Sequence, residues 1–172
     1  MRLDADKVIL AVRDVDKGEA AKRDIETSTK RSNVVEVWRL DLGSYESVVE
    51  FAKKAESLDR LDAVIENAGV ALYTWEVAES DERTITVNVV STFLLALLLL
   101  PKLRESAAKF NIVPRLVIVS SELHEITSFP ERNSPDIFGA LNDKSNAIMR
   151  DRSVTSFLPL PRRPSLTSVG AS

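Results

Sequence analysis

The sequence predicts an α/β chain built on a doubly wound parallel sheet, and two observations carry that expectation. The first is a set of short apolar runs without alternation, residues 7–12 (KVILAV), 34–40 (VVEVWRL), 61–65 (LDAVI) and 115–120 (RLVIVS). Such runs read as strands buried on both faces. The second is the helical stretch of about a dozen residues or more between successive runs, the length a crossover between parallel strands requires.

Taken in order, residues 7–12 form the first strand, and the charged stretch 13–26, with Ala and Ile at helical spacing, the first helix. Residues 34–40 give the second strand. They lead through 41–44 into YESVVEFAKKAESL, where Ser44 is placed to cap a helix carrying Val48, Val49, Phe51 and Ala55 on one face. After the strand at 61–65 comes a turn at 66–69 and a long helix from about residue 79 to 109. The strand at 115–120 follows Pro114. Residues 122–146, with Pro130, Pro135 and Gly139, read as a long loop with room for a short helix.

Composition bounds the function. With 172 residues, 44% hydrophobic and 28% charged, the chain is long enough to bury one globular core. Twenty-three basic residues against 26 acidic give a net charge of −3, which offers phosphate backbones no basic stripe, so nucleic acid is not an expected partner. The absence of cysteine and a single histidine, His124, leave no basis for a metal site. The most apolar stretch, FLLALLLL at 93–100, is short of the ~20 residues a bilayer span takes. No signal-like apolar region opens the chain, so a cytoplasmic location is expected.

In open parallel sheets ligands bind beyond the carboxyl ends of the strands. The residues there are Arg13-Asp14, Asp41-Leu42, Asn67-Ala68-Gly69 and Ser120-Ser121. Each has a plain structural role open to it: Arg13 a solvated helix start, Asp14 and Asp41 helix caps, Asn67 and Gly69 a turn that tolerates positive φ, and the serines a strand-ending turn. Asn88, inside TVNVVSTFLLALLLLP, needs a partner, because an unsatisfied buried amide costs about 1–3 kcal/mol, and its plain role is to bond the backbone of a neighbouring loop. The hydroxyls of Ser91 and Thr92 can bond back to the preceding helical turn. Trp38 and Trp75 read as packing residues, Trp75 near a pocket edge.

In order and spacing, these motifs resemble the short-chain dehydrogenase/reductase family, and within it the retinol-dehydrogenase-like and fungal specialised-metabolite branches, over about residues 3–152. The resemblance implies a partial Rossmann domain over residues 1–152. It implies an NADP cofactor rather than NAD, with Arg13 meeting the 2′-phosphate, Asp41 the adenine amino group, and Asn67, Ala68 and Gly69 passing close to the ribose. It further implies that Ser121, with Ser120 as the register alternative, bonds the substrate carbonyl oxygen of an alcohol or ketone, and that Asn88 holds a water in a proton relay. A homo-oligomer, or pairing with an intact homologue, is the assembly this reading admits.

The same resemblance exposes what the chain lacks. The family opens with a strand and a glycine-rich turn that seats the pyrophosphate, whereas the only glycines here, Gly18, Gly43, Gly69, Gly139 and Gly170, are too far apart to form one. In the family's strand order the absent strand lies between residues 7–12 and 61–65. Its loss leaves two facing edges unpaired or forces them together. The family's Tyr-x-x-x-Lys pair is also absent: Tyr45 and Tyr73 lie upstream of Ser121, and Ser153 and Phe157 occupy the positions expected of tyrosine and lysine. From Ser153 the match stops. Residues 151–172 hold three prolines and seven serines and threonines, and 153–172 are expected to be a disordered tail unrelated to the family. The sequence thus predicts an oxidoreductase by descent, truncated at both ends, with impaired cofactor binding and little activity. The alternative is a non-catalytic interaction module.

Overall fold

The computed structural model describes residues 5–121 and 129–149. Strand β1 (Val8–Val12) leads directly into helix α1 (Val15–Thr29), started by Asp14, whose carboxylate accepts the Lys17 N–H at 3.1 Å. The helix stops at Lys30, which turns left-handed at φ 56° and donates its N–H back to the carbonyls of Glu26 and Thr27. Gly18 lets α1 press on the strands beneath it. A Cβ there would lie 2.6 Å from a Val37 methyl and 2.7 Å from one of Val12.

Strand β2 (Val35–Arg39) pairs parallel to β1 in the register Val8↔Val35 to Val12↔Arg39. Ser44 caps helix α2 (Tyr45–Glu56) by accepting the Ser47 N–H, as its sequence position predicts. Strand β3 (Ala63–Glu66) pairs parallel to β6 (Arg115–Ile118), with Ala63 opposite Arg115 and Glu66 opposite Ile118.

The long helix differs from its expected form. Residues 77–82 form a two-stranded antiparallel hairpin, β4 (Val77–Ala78) and β5 (Asp81–Glu82), with Glu79 left-handed at φ 56° in its turn. Helix α3 (Arg83–Ile85) then starts on Glu82, a fully buried residue whose carboxylate accepts the N–H groups of Thr84 and Ile85. It widens into a π-helical segment, Thr86–Ser91, and continues as α4 (Thr92–Phe110). The helical run Arg83–Phe110 is longer than the apolar stretch visible in sequence, and by length and composition alone it is long enough to cross a membrane. Its Leu95, Ala96, Leu99 and Leu103 are buried, however, and Leu95 and Leu99 join the core against α2. Packing therefore makes it a core helix. Within the segment expected to be a long loop with a short helix, Pro130–Asn133 form a 3₁₀ turn and Ile137–Leu141 the short helix, α5.

The sheet is parallel but divided into two halves, β1–β2 and β3–β6. Of the two outcomes foreseen for the absent strand, the structure adopts, among the described residues, the one with unpaired edges. Helices α2 and α4 bridge the halves: Trp38, Leu40, Val48, Ala52, Ala55, Leu95 and Leu99 form one buried cluster, with Ile9 of β1 and Val64 of β3 packed against it. Burial is one-sided on β3–β6, where Ile65 is 66% and Val117 46% exposed, against the expectation of strands covered on both faces.

Candidate functional site

Because the strands of each half run parallel, the residues following β1, β2, β3 and β6 come out at carboxyl ends, the edge where a ligand is expected. Val12 from one half and Asn67 and Ala68 from the other line one cavity of about 420 Å³, together with Leu42 and Thr92.

Arg13 is exposed directly after β1, with no ion-pair partner among the described residues. Asp14, its apparent competitor, is occupied at the start of α1 by the Lys17 N–H and a 3.7 Å ion pair to the Lys17 ammonium. Asp41 does not cap α2. Its Oδ1 accepts the Gly43 N–H at 2.8 Å, and its own N–H donates to Ser47 Oγ at 2.9 Å, which fixes the turn between β2 and α2.

Asn67, Ala68 and Gly69 are exposed, and none takes a positive φ, so the left-handed conformation that would explain glycine in an ordinary turn is not used here. The turn is held instead by Asn88. Its Oδ1 accepts the Val70 N–H and its Nδ2 donates to the Val70 carbonyl, both at 2.8 Å. Asn88 is buried to 7% exposure, and the paired bonds supply the partner its sequence context demands. The π-helical segment sets that side chain opposite the turn, as such widened turns do at functional sites.

Ser120 lies exposed beyond β6 and Ser121 is half-buried, and both have partners. His124 falls in 122–128 and Ser153 and Phe157 in 150–172, outside the described residues. Tyr45 sits at the start of α2 with its hydroxyl 3.5 Å from Asp81 Oδ2, and burial, aided by the Asp81 charge, raises its pKa further above the ordinary tyrosine range. It is held as a phenol. Trp38 is buried and lines the cavity, whereas Trp75 is half-buried and outside the lining.

Two groups escape sequence reasoning. Glu66, the last residue of β3, lines the cavity with both carboxyl oxygens buried and without a hydrogen-bond partner, and burial pushes its pKa up to about 7. The signal was an acid ending an otherwise apolar strand. The Ser91 hydroxyl, expected to bond to its own helix, is fully buried and unpartnered. The π turn displaces the carbonyls it would reach, while Thr92 still finds the Val87 carbonyl, five residues back, at 2.9 Å. Among the described residues no cluster of His, Cys, Asp or Glu is placed to hold a metal.

With this geometry, the family profile for short chain dehydrogenases matches residues 1–126. The chain is similar to the short chain dehydrogenase atnD of Emericella nidulans, 53% identical over 92% of this chain and 51% of that protein. It is also similar to the short chain dehydrogenase/reductase dmxR8 of a Cryptosporiopsis species, 50% identical over 86% and 47%. The chain spans about half the length of these curated relatives. Among solved structures, an uncharacterized protein from Mycobacterium paratuberculosis superposes with a TM-score of 0.64 at 29% identity, covering 88% of this chain and 48% of that one. A short-chain dehydrogenase from Sphingobium yanoikuyae in complex with NADPH gives 0.58 at 22% identity, over 79% and 50%.

Proposed function

Because the chain belongs to the short-chain dehydrogenase/reductase family, we propose that its carboxyl edge is the adenosine and ribose end of an NADP site, in an oxidoreductase for an alcohol or ketone of fungal specialised metabolism. One observation carries the cofactor preference: Arg13 is an exposed cation immediately after β1 with no ion-pair partner among the described residues, and the acid beside it is engaged in capping α1. A guanidinium free to form a bidentate contact suits a 2′-phosphate and gives the bare ribose diol of NAD nothing comparable. Asp41, through the carboxylate oxygen not used by Gly43, would meet the adenine amino group. Asn67–Gly69, braced through Val70 by Asn88, would lie along the ribose. The bound nicotinamide would supply or accept the hydride. Ser121, or Ser120 in the adjacent register, would hold the substrate oxygen.

The fit is partial. No glycine-rich helix start in these 172 residues can seat the pyrophosphate, and no Tyr-x-x-x-Lys pair can move the proton. The chain by itself is therefore assigned weak cofactor binding and little hydride transfer. A second reading, a non-catalytic interaction module, is favoured by the edges of β1 and β3 that line one cavity and pair with no other strand among the described residues.

The test is thermal stabilisation and fluorescence with NADPH and NADH. A ligand that binds only the folded chain raises its melting temperature. NADPH at millimolar concentration is expected to stabilise the chain, about tenfold tighter than NADH, and Arg13→Ala to erase that preference, since a charge-assisted contact is worth about 1.5–3 kcal/mol. No response to millimolar NADPH, or equal response to both nucleotides, removes the assignment.

A further inference from the structure

The β4–β5 hairpin is too short to hold its own position. Two residue pairs join its strands, Val77 with Glu82 and Ala78 with Asp81, and an isolated two-stranded hairpin is marginal in water even at ordinary strand length. Bonds from outside set its place. From α2, the Tyr45 N–H donates to Glu79 Oε1 at 2.8 Å, and the Tyr45 hydroxyl lies 3.5 Å from Asp81 Oδ2. From the end of α5, Asn142 bonds the hairpin twice. Its Oδ1 accepts the Glu82 N–H at 2.7 Å, across 60 positions of sequence, and its Nδ2 donates to Asp81 Oδ1. The neighbouring Leu141 is buried, which anchors the segment carrying Asn142.

The hairpin in turn holds the start of the helix that bears Asn88. Glu82 is fully buried; its Oε1 accepts the N–H and the hydroxyl of Thr84, each at 2.9 Å, and its Oε2 the Ile85 N–H at 3.3 Å. The Thr86 hydroxyl donates back to the Ala78 carbonyl at 2.8 Å. Both hairpin strands and the first residue of the π-helical segment are thus one bonded unit, with Asn88 inside that segment. Asn88 clamps the N–H and C=O of Val70, both at 2.8 Å. Hydrogen bonds weaken steeply when misaligned, so two bonds to one residue persist only while the helix start keeps its place.

We propose that Asn142 is a positioning residue for the Asn67–Val70 turn: it locks the hairpin, the hairpin fixes the helix start, and the helix start aims Asn88 at Val70. The chemistry of the clasp calls for an amide. One short side chain must accept from the Glu82 N–H and donate to the Asp81 carboxylate, which asparagine does, whereas an ionised aspartate only accepts and would set two carboxylates together. The effect on nucleotide affinity rests on the reading above, in which this turn lies along the ribose.

The test is amide hydrogen exchange on the whole chain without nucleotide, read at Val70 and, as an internal reference, at Leu99 in the core of α4, together with the NADPH dissociation constant from fluorescence. Asn142→Ala is expected to speed exchange at Val70 about tenfold more than at Leu99, and to weaken NADPH by about the same factor. Asn142→Asp, which opposes two carboxylates, should do the same. Adding Asp81→Asn to it restores donor and acceptor in reversed order and should return both readouts to within about twofold of native, a rescue that a general loss of stability does not give. If Asn142→Ala unfolds the chain, the exchanged pair decides alone. Equal acceleration at Val70 and Leu99, no acceleration at Val70, unchanged NADPH affinity despite a loosened Val70, or an exchanged pair that stays loose overturns the proposal. A native chain that takes no NADPH, with Val70 responding as expected, removes the nucleotide reading and leaves Asn142 as the residue that positions the turn.

Discussion

Asn88 shows how one polar side chain in an apolar helix reports on a turn eighteen positions before it. Its amide satisfies both the N–H and the C=O of Val70, so Asn88→Ala leaves both backbone groups without those bonds and is expected to cost about 1–3 kcal/mol in denaturant unfolding. The need for a partner was legible in the sequence, because burial without one is expensive. That a loop backbone could be the partner was legible too, but that it is Val70 was not, since this depends on the π-helical turn. The same turn defeated the expectation for Ser91. Glu66 sets a pH dependence. Its folded pKa of about 7 lies above its ordinary 4.5, so the folded chain holds a proton that the unfolded chain releases, and stability falls as pH rises from about 4.5 to 7 and is flat above. After discounting for solvent, the loss between pH 5 and 8 is about 2 kcal/mol. Glu36, Asp59 and Asp143 are held below their ordinary values and act at lower pH, where stability is lost as pH falls. Urea unfolding at pH 5 and pH 8 checks this: Glu66→Gln should abolish the slope, and an unchanged slope would assign it elsewhere.

At the scale of elements, α2 and α4 do the work that a continuous sheet does elsewhere. Trp38 meets Phe51 edge to face at 5.7 Å between ring centres, with the Lys54 ammonium 4.1 Å over the indole. Leu95 and Leu99 complete the contact from α4. Leu99→Ala is expected to cost about 2–5 kcal/mol and to loosen both half-sheets together, which near-ultraviolet circular dichroism at Trp38 would follow. Helices α1 and α2 were legible because Asp14 and Ser44 sit at their starts and apolar residues repeat behind them. The β4–β5 hairpin was not. Two-residue strands carrying Asp81 and Glu82 have no apolar period, and the hairpin is closed by Arg83 N–H to the Glu76 carbonyl at 2.9 Å and held by long-range bonds from Glu82 N–H to Asn142 Oδ1 at 2.7 Å and from Asn142 to Asp81.

Across the whole molecule, the parallel α/β class and the unpaired edges were both legible. Apolar runs of strand length separated by crossover helices leave few alternatives, and the strand order of a resembling family marks where one is absent. The sequence overstated burial, since nothing in a run such as RLVIVS says that only one of its faces will be covered. The fold brings Arg13, Asp41 and Asn67–Gly69 to strand ends, and the central claim is that these residues share one nucleotide. Titration of the ¹⁵N-labelled chain with NADPH, followed by amide chemical shifts, tests it most directly. The expected result is a saturable set of perturbations at Arg13–Asp14, Asp41–Leu42 and Asn67–Val70, with the amino-end residues Val8 and Ala63 unmoved. Perturbations confined to other surfaces, or none at millimolar NADPH, would contradict it.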